Sequence, residues 1–130
     1  MPHFIIEYSS NVEEQISIDE LVDRVHSAAL ATGVFPLGGL RTRCARRDVY
    51  RIADGHPDNH FVHLVARIGH GRDLETRVSA GESVFSALCE FLEPLWNTKT
   101  ISISFEIQQI DKDTTWKKNN IHKALEERTR

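Results

Sequence analysis

Hydrophobic and polar residues alternate at the start of the chain, in the segment "PHFIIEY". One side of this segment carries Phe4, Ile6 and Tyr8, and the other carries His3, Ile5 and Glu7. Side chains that alternate in this way point to the two faces of a β-strand. The pattern therefore predicts a strand over residues 2–8, directly after Met1.

The spacing of the apolar residues becomes helical after Ser17. Ser17 and Glu20 form an S-x-x-E capping box. Apolar residues then recur every three or four positions until Gly33, namely Ile18, Leu21, Val22, Val25 and Ala29. We predict a helix of about four turns here. The segment "GVFPLGG" is typical of a loop, and "LRTRCARRDVYRIA" after it predicts a long strand or a hairpin.

The second half of the chain repeats this order of elements. "HFVHLVARI" predicts a strand and "GHG" a turn. Apolar residues spaced by four and three, from Leu74 to Leu95, predict one long amphipathic helix. "TISISFEIQQI" then alternates as a strand, with Ile101, Ile103, Phe105 and Ile107 on one face.

The two halves predict tandem β-α-β units within one domain of residues 1–130. "PHFIIEY" aligns with "NHFVHLV", and the pseudo-repeats cover about residues 2–58 and 59–113, before a tail of residues 114–130. Two such units would form an α+β fold, a four-stranded mixed sheet with two helices on one face. Apolar residues on the other, bare face would favour a homo-oligomer in a closed ring. In the tail, "NNIHKAL" predicts a short helix that begins after Asn120 and docks on its own or a neighbouring subunit.

Composition and charge narrow the choice of partners. The 130 residues have a formal net charge of −3, with charged residues scattered rather than grouped, which argues against a nucleic-acid surface. No apolar run reaches the length of a membrane span, and the polar residues after "FIIEY" argue against a secretory signal. We expect a cytoplasmic protein that acts on a small molecule. Cys44 and Cys89 lack redox-motif spacing and are expected to be buried free thiols.

Pro2 is the first candidate for chemistry. If Met1 is removed, its nitrogen becomes a free secondary amine, and burial beside cations would lower the pKa of that amine and make it a base. The strand that follows at once would hold the amine in place. Position alone favours the simpler interpretation, that a proline merely follows the initiator.

Two arginine motifs form the second group of candidates. Arg41 and Arg43 in "GLRTR" share one face of an extended segment and suit bidentate binding of carboxylates. A solvated arginine face is an equally good interpretation of this motif. In "GHGRDLE", Arg72 stands beside a helix start that Asp73 can cap, which suits an anion. An ordinary strand-to-helix turn with a surface arginine would look the same.

A metal site has little support in the sequence. His56, His60 and His63 are close together, but "HPDNHFVH" matches no standard zinc spacing, and His60 and His63 would point to opposite faces of a strand. There is neither a G-x-S-x-G elbow nor a Walker loop, so hydrolase and nucleotide-binding functions are unsupported.

Several segments taken in order resemble the 5-carboxymethyl-2-hydroxymuconate isomerases of the tautomerase superfamily. They are the Met-Pro start, "TGVFPLGGLRTR", "ADGHPDNHFVHL", "IGHGRDLETR" and "SISFEIQQI". The resemblance covers nearly the whole chain, and "HFVH" through "GRDLE" is its most specific part.

The resemblance implies a homotrimeric, cofactor-independent and metal-free isomerase. Its amino-terminal proline, here Pro2, would be the base of a 1,3-proton shift that converts 5-carboxymethyl-2-hydroxymuconate to its unsaturated 2-oxo isomer. This reaction belongs to homoprotocatechuate breakdown in 4-hydroxyphenylacetate catabolism. Arg41 matches the family's substrate arginine best, while Arg43 and Arg72 are further candidates for binding the unsaturated tricarboxylate. Alternatives are another tautomerase-superfamily activity on a related carboxylate and a non-catalytic oligomeric module that binds an anionic metabolite.

Overall fold

The computed structural model describes residues 1–129, in which four strands form one mixed sheet. The strands are β1 (His3–Ser9), β2 (Arg41–Arg47), β3 (Asn59–Gly69) and β4 (Thr100–Ile110), in the spatial order β2-β1-β3-β4. β1 runs parallel to β2 and β3 parallel to β4, whereas the central pair β1 and β3 is antiparallel. The helices are α1 (Ile18–Ala31), α2 (Leu74–Phe91), α3 (Glu93–Thr98) and α4 (Ile121–Arg128).

The core lies between one face of the sheet and the helices α1 and α2. Its members from β1 and β3 are the alternate residues of each strand, and nearly all are fully buried: Phe4, Ile6, Tyr8, Val62, Leu64, Ala66 and Ile68. Leu21, Val25 and Ala29 of α1 and Ala80, Val84 and Leu88 of α2 cover them. The predicted fold, a four-stranded mixed sheet with two helices on one face, is therefore confirmed.

Both long helices begin at side-chain caps that the sequence predicts. The Ser17 hydroxyl oxygen accepts a hydrogen bond from the Glu20 main-chain N–H at 3.3 Å. The Asp73 carboxylate accepts one from the Thr76 N–H at 2.8 Å. These bonds satisfy N–H groups that have no partner within the helix, and so they fix where each helix starts.

The predicted long strand or hairpin after Leu40 is only half right. β2 ends at Arg47, and residues 48–58 form an irregular loop in which Val49 is 97% exposed. The Arg46 guanidinium pairs with Glu13 and with Asp48, which turns the chain away from the sheet. The β-propensity of "VY" did not extend the strand, because the Val49 side chain packs on nothing and the Tyr50 ring turns edge-on toward Phe61 of β3 instead of pairing along β2.

The predicted single helix from Leu74 to Leu95 is two helices. Pro94 lies in the first turn of α3, where a proline is tolerated, and the chain breaks at Leu92. The apolar positions also divide into two faces, because Leu74, Val78 and Phe85 stay exposed while Ala80, Val84 and Leu88 enter the core.

One apolar surface of the subunit remains uncovered. Leu74, Val78 and Phe85 of α2 line a groove of about 560 Å³ with Phe105 and Ile107 of β4. We call it the α2–β4 groove. The expectation that Ile and Phe of the sheet lie on its bare face is wrong for β4: Ile101, Ile103, Phe105 and Ile107 pack toward the core. The helix-free face of β4 carries Ser102, Ser104, Glu106 and Gln108 instead.

The C-terminal segment folds back onto its own subunit. Residues 115–120, here called the strap, run from the short 3-10 turn Lys112–Thr114 to α4. The Asn119 side chain caps α4 through its oxygen, which accepts from the Ile121 N–H at 2.5 Å, whereas Asn120 makes no cap bond. His122 sits against Gly38, where an added Cβ would lie 2.3 Å from the imidazole. None of the helices in residues 1–129 combines the length and the apolarity that crossing a bilayer requires.

Candidate active site

Pro2 lies buried at the end of the sheet where β1 and β2 both begin. The parallel register pairs His3 with Arg41, and the Arg41 N–H donates to the Pro2 carbonyl at 3.1 Å. β3 runs antiparallel to β1, so its last residues and the turn before α2 arrive at the same end. Three segments far apart in sequence therefore meet around Pro2.

The Arg41 side chain turns back toward the amino terminus. Its guanidinium donates to the Gly39 carbonyl at 3.2 Å and to the sulfur of Met1 at 3.5 Å. The side chain is half-buried, and none of these partners carries a negative charge. Arg41 is therefore a positioned cation available to an anionic ligand.

Arg72 reaches the same place from the turn between β3 and α2. Its guanidinium donates to the carbonyls of Gly69 at 3.3 Å and Val34 at 3.2 Å, and it lies 5.3 Å from the centre of the Phe35 ring. Two carbonyls and an aromatic face hold the group without neutralising it. Sequence reasoning placed Arg72 beside an anion site, and the structure brings it to the Pro2 end of β1.

Arg43 shares the helix-free face with Arg41 but is directed elsewhere. Its side chain is exposed and lies 3.1 Å from the His3 imidazole nitrogen. Burial, then Arg43 and Arg41, lower the pKa of His3, so the imidazole accepts from Arg43 in its neutral form. Arg43 thus adjoins the site through His3 and lines neither of the cavities described next.

Two adjoining cavities surround the amino terminus. The larger, of about 570 Å³, opens between β1, β2 and the strap and includes His3, Arg41 and Trp116. The smaller, of about 430 Å³, includes Pro2 and Arg72. Met1, Gly69, His70 and Lys117 line both cavities. We call the combined space the cationic cleft, because its charged lining residues include Arg41, Arg72, Lys112, Lys117 and Lys118.

Sequence reasoning missed the contribution of the strap. Lys117 and Asn119 line the cleft, although the tail was expected only to form a docking helix. The run "WKKNN" contained the signal, since two cations and two amides next to an exposed tryptophan are unusual for a tail that only docks. Nothing in the chain order, however, links residue 117 to residue 2.

The cleft disfavours a positive charge at the amino terminus. Burial is the largest cause that lowers the pKa of the Met1 ammonium, followed by the charges of Lys117, Arg72 and Arg41. An amine here is more often neutral than one in water, and a neutral amine can accept a proton. The same cations that repel a positively charged amine would attract an anion bound in the cleft.

The other sequence candidates lie away from the cleft. His56 and His60 make bonds to the main chain of Asp58, and His63 contacts Ser104 at 2.6 Å. No group of three or more His, Cys, Asp or Glu side chains within residues 1–129 is arranged to hold a metal ion. Cys44 and Cys89 are free thiols as predicted, but both are half-buried rather than buried. Partial burial raises the pKa of Cys44 to about 11, which makes it a poor nucleophile.

Comparison with known proteins gives a consistent result. The sequence model of the family described as 5-carboxymethyl-2-hydroxymuconate isomerase matches residues 2–125. The 5-carboxymethyl-2-hydroxymuconate Delta-isomerase of Escherichia coli is 38% identical over 122 residues, which are 94% of this chain and 97% of that protein.

Solved structures extend the comparison to the fold. A 5-carboxymethyl-2-hydroxymuconate isomerase from Deinococcus radiodurans R1 superposes with a TM-score of 0.88 at 36% identity, covering 95% of this chain and 93% of that one. A fused 4-OT described as a wild-type symmetric trimer has a TM-score of 0.64 at 14% identity, with 90% and 92% covered. At that identity only the fold is shared.

Proposed function

Because the chain belongs to the 5-carboxymethyl-2-hydroxymuconate isomerase family, we propose that it converts 5-carboxymethyl-2-hydroxymuconate to its unsaturated 2-oxo isomer. This step belongs to the meta-cleavage breakdown of homoprotocatechuate. The observation that carries the proposal is the cationic cleft, where Arg41 and Arg72 converge on the Pro2 end of β1. A substrate with three carboxylates needs such a site, and an isomerisation needs only a base beside it.

In the proposed mechanism, removal of Met1 leaves the Pro2 nitrogen as a secondary amine at the floor of the cleft. The amine takes the proton of the substrate's 2-hydroxyl group and gives a proton to carbon five, so that no proton is gained or lost overall. The 2-oxo tautomer of the dienol carries this proton on carbon three. Starting from that tautomer, the same product forms by a 1,3-shift of a proton from carbon three to carbon five. A single weakly basic group performs both transfers, and the cations around it keep it neutral between turnovers.

The arginines have different roles in this mechanism. Removal of the hydroxyl proton places negative charge on the 2-oxygen and along the conjugated chain. Arg41 lies closest to Pro2 through the sheet ladder and stabilises this dienolate, which is commonly the largest electrostatic contribution at such sites. Arg72 binds a carboxylate from the opposite wall. Arg43 contributes through His3, which lines the cleft.

We also propose that the chain is a homotrimer. Its superfamily relatives are oligomeric, and a protein of the same fold is a symmetric trimer. The α2–β4 groove supports this assembly, because Leu74 is 65% exposed and Val78 48% exposed in the isolated subunit. Apolar side chains that are this exposed and adjacent are typical of a contact surface, and a second copy of the chain is the occupant we assign to it.

The function is tested by intact mass and by turnover of the dienol substrate. We expect purified active protein to lack Met1 and to convert the dienol without added metal or cofactor. A second preparation that carries extra residues before Pro2 has an acylated proline nitrogen, and it should be inactive although folded. Full activity of that preparation would overturn the amine mechanism, and tight binding of the dienol without turnover by the processed chain would favour the anion-binding module.

A further inference from the structure

The side chain of Met1 marks a ligand position in the cleft. Its sulfur accepts from the Arg41 guanidinium at 3.5 Å and from the Asn119 amide nitrogen at 3.6 Å. A thioether is a weak acceptor, so this contact leaves both donors available to a stronger acceptor such as an anion oxygen. When Met1 is removed, two N–H donors from opposite walls point at the space next to Pro2.

Asn119 is held in this position by its own bonds. Its amide nitrogen also donates to the Gly38 carbonyl at 3.1 Å, and its oxygen caps α4 through the Ile121 N–H. The side chain is half-buried, and α4 anchors the strap on the Leu37–Gly39 turn just before Arg41. The donor is therefore preorganised rather than free to swing into solvent.

Lys117 supplies a cation from the same strap. It lines both cavities, and it makes no ion pair with any carboxylate in residues 1–129. Among the neighbouring charges, Lys117 is also the one that lowers the pKa of the amino terminus most, and only burial lowers it more. A flexible, unpaired ammonium that faces a cleft of like charges is arranged for an anion rather than for stability.

The sheet and the β3–α2 turn provide two cations, whereas the proposed substrate has three carboxylates. Arg41 and Arg72 face the cleft, but Arg43 is directed to His3. The conjugated chain of the substrate is planar and carries two of the carboxylates at its ends. The carboxymethyl group branches from carbon five and can rotate out of that plane, toward the open side of the cleft where the strap lies.

We propose that the strap forms part of the substrate site, with Asn119 sharing the oxygen next to Pro2 with Arg41, and Lys117 binding the carboxymethyl carboxylate. This inference rests on the proposed function and adds to it the residues that select a tricarboxylate. Asn119 and Lys117 contact the substrate directly.

The test for Lys117 uses two substrates. Lys117→Met keeps the length of the side chain and removes its charge, and we expect KM for the tricarboxylate dienol to rise about tenfold, with kcat changed much less. On 2-hydroxymuconate, which lacks the carboxymethyl group, KM should change much less than on the tricarboxylate, with both substrates assayed at a pH well above the pKa of the Pro2 amine, where the loss of the Lys117 charge no longer alters the fraction of neutral amine. Lys123→Met, on the exposed surface of α4, is the matched control and should behave as the wild type on both substrates.

The outcomes separate this inference from the function. If the wild type does not isomerise the dienol, the proposed function fails. If the wild type is active and Lys117→Met is unchanged, or equally impaired on both substrates, the role of Lys117 in binding the carboxymethyl group is wrong.

Asn119 is tested by Asn119→Asp, with Asn120→Asp as control. The aspartate keeps the oxygen that caps α4 but replaces the N–H donors by a negative charge, so kcat/KM should fall about a hundredfold while Asn120→Asp is unaffected. The variant also loses the bond to the Gly38 carbonyl, so hydrogen exchange of α4 is measured alongside, and it should stay close to the wild type because the cap at the Ile121 N–H remains. Activity that survives Asn119→Asp overturns the role of Asn119, and a loss accompanied by rapid exchange of α4 shows a purely structural role.

Discussion

The main-chain N–H of Arg41 donates to the carbonyl of Pro2 at 3.1 Å, as the first rung of the β1–β2 pairing. The proposed base and the proposed dienolate-stabilising cation are therefore fixed by the sheet itself. Since hydrogen bonds of the ladder vary little in length, this bond fixes the spacing between the two backbones, and the bond to the Gly39 carbonyl at 3.2 Å positions the Arg41 guanidinium.

Replacement of the proline tests the base directly. We expect Pro2→Ala to lower kcat/KM by about 10² to 10⁴, the usual contribution of a positioned general base, because the ring that fixes the nitrogen is lost. Steady-state rates on the dienol provide the measurement, with intact mass to show that Met1 is removed from both proteins. An unchanged rate for the variant would mean that the secondary amine of the proline ring is not required.

Replacement of Arg41 tests the electrostatic contribution. Arg41→Ala should lose about 2 to 4 kcal/mol of transition-state stabilisation, mostly in kcat. The matched control is Arg47→Ala, on the same strand and face, whose guanidinium pairs with Glu7 at 2.7 Å far from the cleft. We expect Arg43→Ala to fall between the two, because it acts through His3. Equal rates for Arg41→Ala and Arg47→Ala would remove Arg41 from the site.

The pH dependence follows from the charges around the amino terminus. Burial and then Lys117, Arg72 and Arg41 lower the pKa of the Met1 ammonium, and the Pro2 amine of the processed chain would lie among the same groups. The neutral amine is the active form, so kcat/KM should rise with pH through the pKa of the amine and level off above it.

Nuclear magnetic resonance titration of ¹⁵N-proline in the folded and the urea-unfolded chain measures this shift. The pKa of Pro2 should be lower in the folded protein, and Lys117→Met should raise it because one repelling cation is lost. A folded value at or above the unfolded one would contradict the assignment.

The assembly is tested at the α2–β4 groove. Light scattering should give three times the subunit mass of 14.8 kDa for the wild type. Val78→Glu places a charge in the groove and should release monomers, since burial of an unpaired charge costs several kcal/mol. Val49→Glu adds the same charge to a loop residue that is 97% exposed, and it should leave the trimer intact. A trimer that tolerates Val78→Glu would place the interface elsewhere.

The elements with a strong local signal were predictable from the sequence. Alternation located β1 and β4, and the capping box at Ser17 located the start of α1 within a residue. The predictions failed where tertiary context decides. Val49 and Tyr50 have high β-propensity but form no ladder with another strand, and Pro94 divides a continuous apolar pattern into two helices.

The candidate site was predictable only in part. Pro2, Arg41 and Arg72 could be identified because each belongs to a local pattern, a strand start, an alternating pair or a strand-to-helix turn. Lys117 and Asn119 could not, because they reach the cleft through the docking of α4 on the Leu37–Gly39 turn, about 80 residues earlier in the chain. Likewise, alternation places Ile101 and Phe105 on one face of β4 but does not say which face meets the helices.

The two parallel strand pairs make the two ends of the sheet similar, but the amino terminus lies at only one of them. β1 and β3 occupy matching places in the two parallel pairs and run in opposite directions, so Asn59 begins β3 at the end of the sheet opposite Pro2. A residue within the chain has an acylated nitrogen, and at Asn59 its side chain instead ties the loop to Ile52 and Asp54. Of two architecturally similar corners, the proposed function thus assigns catalysis to the one at Pro2, and the one at Asn59 has no role in that mechanism.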